Sequence, residues 1–193
     1  MKKRICCLFV FNGFADWEPA LVTSGLNKYS DFEIRTFSVD GKMVRSMGNL
    51  EINPDFNLHQ IITTDFEMLL LPGGDAWEKG KNIEIKELVL TAFNDGKMVA
   101  AICAATTFLA RIGIFEKIKH TSNGLEYLKK QVSEYRADKN YVAQPAVTDK
   151  NVITANGAAM IEFAHEIFSY YNLFKQEELK YWLGMYKSAG MEM

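Results

Sequence analysis

The chain has 193 residues, 48% apolar and 24% charged, with a formal net charge of −2. That length and composition fit one globular domain over residues 1–193 with a sizeable core, and they exclude a disordered or low-complexity chain. No dense basic run occurs, so nucleic acid is not an expected partner, because phosphate binding needs concentrated positive charge.

Met1-Lys2-Lys3-Arg4 followed by the apolar run Ile5–Phe11 has the outline of a signal peptide. The run is only seven residues long, Asn12-Gly13 breaks it, Asp16 and Glu18 follow, and there is no small-residue cleavage site. It reads instead as a first strand covered on both faces, as in a parallel sheet. No stretch reaches the roughly 18–20 apolar residues that span a bilayer. The expectation is a cytoplasmic protein with no membrane partner.

Trp17–Tyr29 has helical spacing, with Leu21, Val22, Gly25 and Leu26 on one side, and Phe32–Val39 alternates as a second strand before the turn Asp40-Gly41. Met43–Met47 and Leu50–Ile52 suggest two short strands around Gly48-Asn49, and Pro54–Asp65 a connection with a short helix. Met68–Leu71 is a strongly apolar strand ending at Pro72-Gly73-Gly74. Ile83–Asp95 is predicted helical, closed by Gly96. Met98–Ile102 is a further buried strand, followed by helix Ala104–Ile112 with Gly113 beyond it. Leu125–Val132 reads as helix, Asn151–Thr154 as strand, and Met160–Tyr171 and Glu177–Lys187 as helices. Alternation of this kind predicts an α/β fold with a mainly parallel sheet.

The three cysteines, Cys6, Cys7 and Cys103, are odd in number and include a vicinal pair. They suit a reducing compartment better than a disulfide framework. With no C-x-x-C pair and with His59, His120 and His165 scattered, neither a metal nor another cofactor is expected.

In open α/β sheets ligands gather at the carboxyl ends of the strands. Three features fall there: Asn12–Glu18, Pro72-Gly73-Gly74, and Cys103 within Ala101-Ile102-Cys103-Ala104-Ala105-Thr106. Small neighbours suit a nucleophile on a tight strand-to-helix turn. A helix N-terminus would favour thiolate over thiol. The residues alone leave a second reading open, an inert buried cysteine. Likewise, Gly73-Gly74 offers unobstructed N–H groups for an oxyanion, or is a plain turn. Glu18 is an ordinary first-turn acid, or a carboxyl with a raised pKa that donates a hydrogen bond to sulfur.

Phe14–Ala20, Leu71-Pro72-Gly73-Gly74, Ala101–Thr106, and Thr154-Ala155-Asn156-Gly157 with Glu162-Phe163-Ala164 follow one another in the order of the ThiJ/PfpI family, which the chain resembles over residues 4–172. That family includes Parkinsonism-associated deglycase and chaperone proteins and belongs to the class I glutamine amidotransferase-like superfamily. The resemblance implies a flavodoxin-like three-layer α/β sandwich. It implies Cys103 as the nucleophile-elbow cysteine and Glu18 as the acid whose carboxyl hydrogen-bonds its sulfur. Gly73, Gly74 and the N–H of Ala104 would form the oxyanion pocket. Dimers are common in the family, so a homodimer is among the implied assemblies.

One departure bears on mechanism. Many members carry a histidine in the strand after the elbow helix; counted along Gly113–Asn123, that position falls on Asn123, with His120 three residues early. An odd offset in a strand reverses the face, so His120 is expected to point away from Cys103. Asn123 can hydrogen-bond a substrate but cannot act as a base. His165 reads as a packing or surface residue within its helix, and His59 carries no signal. The aromatic segment Tyr181, Trp182, Met185 and Tyr186 reads as packing on the domain, with a dimer face as the alternative.

The leading functional expectation is a cysteine hydrolase or lyase acting on small reactive carbonyls, glyoxalase-like or deglycase-like. The alternatives are a redox-sensing or stress-protective protein using the same oxidisable cysteine, and a cysteine peptidase or amidotransferase, which would need a histidine beside Cys103.

Overall fold

Residues 3–191 are described by a computed structural model; Met1 and Lys2, at the start of the signal-peptide-like run, lie outside them. Short, continuously apolar runs become the central strands because helices cover both faces of the sheet. The strands are β1 (Arg4–Phe9), β2 (Phe32–Ser38), β3 (Val44–Arg45), β4 (Glu51–Ile52), β5 (Phe56–Asn57), β6 (Met68–Leu71), β7 (Met98–Ile102), β8 (Ala146–Asp149) and β9 (Val152–Ala155). Every residue of β6, β7 and β9 is buried. The main sheet has the order β5-β2-β1-β6-β7-β9-β8, parallel throughout except for the β8–β9 pair. The helices are α1 (Ala20–Tyr29), α2 (Leu58–Ile62), α3 (Asp75–Glu78), α4 (Lys86–Asn94), α5 (Ala105–Arg111), α6 (Leu125–Gln131), α7 (Met160–Tyr170) and α8 (Gln176–Lys187). The result is the flavodoxin-like α/β layering that the resemblance implies.

From β1 the chain goes to β2 on one side and later returns to β6 on the other. The crevice between the carboxyl ends of β1 and β6 is therefore the topological switch point, where open α/β sheets take their ligands. Glu18 follows β1 and Gly73 follows β6, while Cys103 leaves β7, the next strand along. Strand order alone thus brings three distant segments to one edge.

Packing fixes that edge. Phe9 lies 5.1 Å from Phe37 and 5.7 Å from Trp77 between ring centroids, and Trp77 lies 5.0 Å from Phe108. Trp77 donates its indole N–H to Pro72 O at 2.8 Å, satisfying its one polar atom inside the core. On the opposite face, a side chain at Gly25 of α1 would run into the Phe168 ring of α7, so only glycine lets these helices pack this closely. Cys6 and Cys7 are fully buried in β1.

The structure departs from the sequence reading at several points. Trp17–Pro19 is a turn, and α1 begins at Ala20 because the first residues are held by loop contacts. Ile83–Ile85 is a 3-10 turn preceding α4. The strand predicted at Asn151–Thr154 is shifted by one, and its antiparallel partner β8 had no clear apolar pattern, since Thr148 is exposed and Asp149 only partly buried at the sheet edge. The stretch before Asn123 contains no regular strand: Ile114–Glu116 is a 3-10 turn, and His120 makes only an isolated bridge to Tyr141. α3 and β5 are too short to leave a periodicity. Within the terminal segment, Trp182 packs edge-on against Phe168 at 5.1 Å, while Tyr181 is exposed. Among the described residues no helix is long and apolar enough to cross a membrane, and no group of three or more His, Cys, Asp or Glu is placed to hold a metal ion.

Candidate active site at the carboxyl edge of the sheet

Cys103 ends the β7 segment in a left-handed conformation, φ 59°. Non-glycine residues avoid that region at a cost of order 1 kcal/mol or more, and such strain clusters where function requires it. Its N–H is held by Ala155 O at 2.9 Å on β9, and its C=O accepts from Thr106 Oγ1 at 2.5 Å. Thr106 Oγ1 in turn lies 2.6 Å from Ser122 Oγ. The thiol, held from both neighbouring segments, is only partly buried, unlike Cys6 and Cys7.

Glu18 is 1% exposed. The loop carrying it is pinned on two sides. Ala15 N–H donates to Gly73 O at 3.0 Å, and the β3–β4 hairpin clasps the loop through Gly13 N–H to Arg45 O (2.7 Å), Met47 N–H to Phe14 O (2.8 Å) and Ser46 Oγ to Asp16 (2.7 Å). The Glu18 carboxyl accepts the Gly73 N–H at 2.5 Å and is in hydrogen-bonding reach of the Cys103 side chain. Residue 73 must be glycine here. A Cβ on it would stand 2.8 Å from Cys103 Cβ and 2.8 Å from Glu18 Oε2. Because the Gly73 amide is engaged by Glu18, this residue serves the acid directly. Gly74, at φ 144°, makes no backbone donation to another described residue, while the Ala104 N–H is directed at the sulfur.

Asn123 closes the other flank. Its Nδ2 lies 3.4 Å from Cys103 Sγ, and its Oδ1 accepts the Gly157 N–H at 2.8 Å. The short segment before it is fastened to β9 by Thr121 N–H to Thr154 Oγ1 at 2.9 Å and to the loop before β8 by Thr121 Oγ1 to Gln144 O at 2.8 Å. Beyond Asn123, the Tyr127 hydroxyl donates to Glu78 Oε1 at 2.8 Å. Arg111 ties the supporting elements together, donating to Trp77 O (2.6 Å), Thr107 Oγ1 (3.1 Å) and Gln131 O (3.0 Å). A groove of about 460 Å³ beside this flank is lined by Ser122, Gly124, Tyr141, Gln144, Asn156 and Glu162, among others.

The electrostatics couple Glu18 and Cys103. Burial pushes the Glu18 carboxyl up to about 7, against the lowering pull of the Gly73 N–H and the Cys103 hydrogen bond. Burial also pushes the Cys103 thiol up to about 11. The Glu18 charge adds to that rise, while Asn123 and the Ala104 N–H oppose it. The sequence expectation of a thiol acidified by the helix N-terminus is therefore not met with Glu18 charged. The desolvation cost of a thiolate outweighs the amides of a seven-residue helix. A neutral Glu18 removes the opposing charge.

The histidines take no part in this cluster. Both ring nitrogens of fully buried His120 are engaged, Nδ1 with Ile118 O at 3.2 Å and Nε2 with Tyr135 Oη at 2.7 Å, and the ring stacks on Phe115 at 3.8 Å. Burial pushes its pKa down to about 4. His165 is half-buried with Nδ1 3.7 Å from the Glu166 carboxylate, and His59 is exposed on α2. Tyr127, Glu78 and Gly157 were not singled out by the sequence reading. Gly157 belongs to a quoted motif, but its proximity to sulfur leaves no mark in local pattern.

Comparison with known proteins agrees with this arrangement. The DJ-1/PfpI family model matches residues 3–170. The Bacillus subtilis protein named uncharacterized protease YoaZ is 33% identical over 199 residues, covering 100% of this chain and 95% of the relative. The crystal structure of a thiJ/pfpI family protein from Bacillus anthracis superimposes with a TM-score of 0.90 at 34% identity, covering 98% of this chain and 92% of the other. More distantly, the deglycase PfpI of Pyrococcus furiosus is 24% identical over 129 residues, 66% of this chain and 75% of the relative. The switch-point crevice, the strained cysteine after β7 and a match running nearly the length of the chain converge on one assignment: this chain belongs to the DJ-1/PfpI family.

Proposed function

We propose that Cys103 is a thiol nucleophile toward small reactive carbonyl compounds, with Glu18 as its proton partner, in glyoxalase-like or deglycase-like chemistry. The observation that carries this reading is the placement of one partly exposed thiol between a buried carboxyl and an amide, with no imidazole in the cluster. A carboxyl whose pKa lies near neutrality can take a proton from the thiol and return it. The sulfur forms a bond to the carbonyl carbon and the C=O π pair moves to oxygen, giving a hemithioacetal. In this reading the Gly74 and Ala104 amides would stabilise the charge that develops on that oxygen. The deglycase name of a distant relative accords with this chemistry.

The protease name of YoaZ suggests a different activity. Against it stands the engagement of both His120 nitrogens, which leaves the thiol without the base that acyl transfer from an amide uses. A redox-responsive role draws on the same feature as the main reading. Cys103 is the partly exposed thiol and Cys6 and Cys7 are sealed, so mild peroxide should add two oxygens at Cys103 alone if sensing is its role.

Methylglyoxal turnover decides the main reading. Wild-type protein should consume it, and Cys103→Ser should lose activity by about 10²-fold or more. Full turnover by Cys103→Ser would remove the proposal.

A further inference from the structure

The aromatic face of α8 takes no part in the Cys103 cluster. Glu177, Glu178, Tyr181, Trp182 and Met185 recur at helical spacing along it, which places them on one side of the helix. That side, with Tyr29 at the end of α1 and Phe174 between α7 and α8, lines a groove of about 560 Å³. Small-molecule clefts span roughly 300–1,000 Å³. We propose that this groove binds a small organic cation of the quaternary ammonium type, held by aromatic rings and carboxylates.

The walls are set by a ring inside the core. Phe168 of α7 is fully buried, and Phe174 and Trp182 both meet it edge-on, at 5.8 Å and 5.1 Å between centroids. Tyr29 packs on Phe174 at 5.1 Å, and Tyr186 on Trp182 at 4.6 Å. The Phe168 ring occupies the space that a side chain at Gly25 would take, so the close approach of α1 and α7 fixes this floor. The rings are thus positioned by packing, and a ligand meets them without having to order them first. The outer ones stay open to solvent: Tyr29 is 48% exposed and Tyr181 57%.

Charge decides the class of ligand. The Glu178 carboxylate accepts the Lys175 N–H at 3.0 Å and closes the start of the helix. The Glu177 carboxylate makes no hydrogen bond or ion pair with another described residue. It lies four residues before Tyr181 on the same side, so an unbalanced negative charge stands one turn from an exposed ring. At the edge of the groove the chain already sets a cation by a ring, with Lys28 Nζ 5.1 Å from the Tyr29 centroid. Among the described residues no cation is placed over Tyr181 or Trp182. Ring quadrupoles attract cations, tryptophan most strongly. A quaternary ammonium has no N–H that must find an acceptor, so it suits an apolar wall, and Glu177 and Glu178 balance its charge. A ligand that also carries a carboxylate is repelled by the same two groups.

The test uses choline as probe, with two controls of closely similar shape. The isostere 3,3-dimethyl-1-butanol lacks the charge, and glycine betaine adds a carboxylate. In titrations of the full chain followed by ¹H–¹⁵N NMR, choline should shift the Tyr181 and Trp182 resonances with a Kd of about 1 mM, and both controls should bind at least about tenfold more weakly. Tyr181→Leu and Glu177→Gln, both at exposed positions, should each weaken choline binding by about threefold or more and leave Cys103 alkylation unchanged. Equal binding of the uncharged isostere would reduce the groove to an apolar surface and overturn the proposal. Absence of shifts at a large excess of choline would overturn it, as would shifts that neither substitution alters. Resonances on this face that broaden with protein concentration and ignore choline would place a second copy of the chain there and also overturn it. None of these outcomes depends on the carbonyl reading of Cys103.

Discussion

Gly157 makes room for the Cys103 sulfur: a Cβ built on residue 157 would stand 2.6 Å from Sγ and 2.9 Å from Cys103 Cβ. Its backbone is not in the left-handed region, so space alone demands glycine. Overpacking a fixed site forces displacement at a cost of about 1–3 kcal/mol. Gly157→Ala should lower stability by that amount in urea denaturation. It should also change the alkylation rate of Cys103 by about tenfold or more, because the sulfur or the Asn123 contact must move.

Asn123 lowers the thiol pKa by donating to sulfur and accepts from Gly157 N–H. Asn123→Ala removes that donation, so the thiol should become harder to ionise. The pH profile of iodoacetamide alkylation should move to higher pH, opposite to the shift expected if Asn123 were a mere spacer.

Glu18 and His120 predict opposing pH effects on stability. The folded Glu18 value of about 7 lies above its ordinary 4.5, so its contribution is fully present below pH 4.5 and lost as pH rises through 7. The folded His120 value of about 4 lies below its ordinary 6.5, so its contribution is present above 6.5 and lost as pH falls through 4. Each gap corresponds to about 3 kcal/mol. Between about pH 4.5 and 6.5 the two largely cancel in the wild type. Glu18→Gln should expose the His120 limb, with stability falling as the solution is acidified from pH 6.5 toward 4. Urea midpoints across that range provide the measurement.

His120 is structural in this arrangement. Replacing it with alanine removes a ring stacked on Phe115 and leaves the buried Tyr135 hydroxyl without its partner. A loss of about 3 kcal/mol is expected. Cys103 alkylation in the folded variant should match the wild type. A selective loss of thiol reactivity would instead place the imidazole in the working machinery.

The fold was legible because the core strands are apolar runs marked off by glycine and proline, as at Met68–Leu71 before Pro72 and Met98–Ile102 after Gly96. Strand order could not be read locally, yet it is what gathers Glu18, Gly73 and Cys103. His120 was expected to face away from the thiol; its ring nitrogens meet Ile118 O and Tyr135 Oη, although the strand argument used a strand that is not there. Edge strand β8 was missed because its outward residues are polar. The Tyr127–Glu78 contact joins residues 49 positions apart on two short helices, and no spacing rule reports such a pairing. The thiol's electrostatics were misjudged because sequence shows a helix start but not how completely water is excluded.

The sealing of Cys6 and Cys7 within β1 gives the native molecule a built-in counting property. Burial holds both of those thiols far from ionisation, and Cys6 more so through its neighbour. A bulky electrophile should therefore tag the intact protein once, and three sites become available only when the first strand leaves the sheet. Stoichiometry of labelling over time would then report the opening of the central β-layer, with no engineered probe needed.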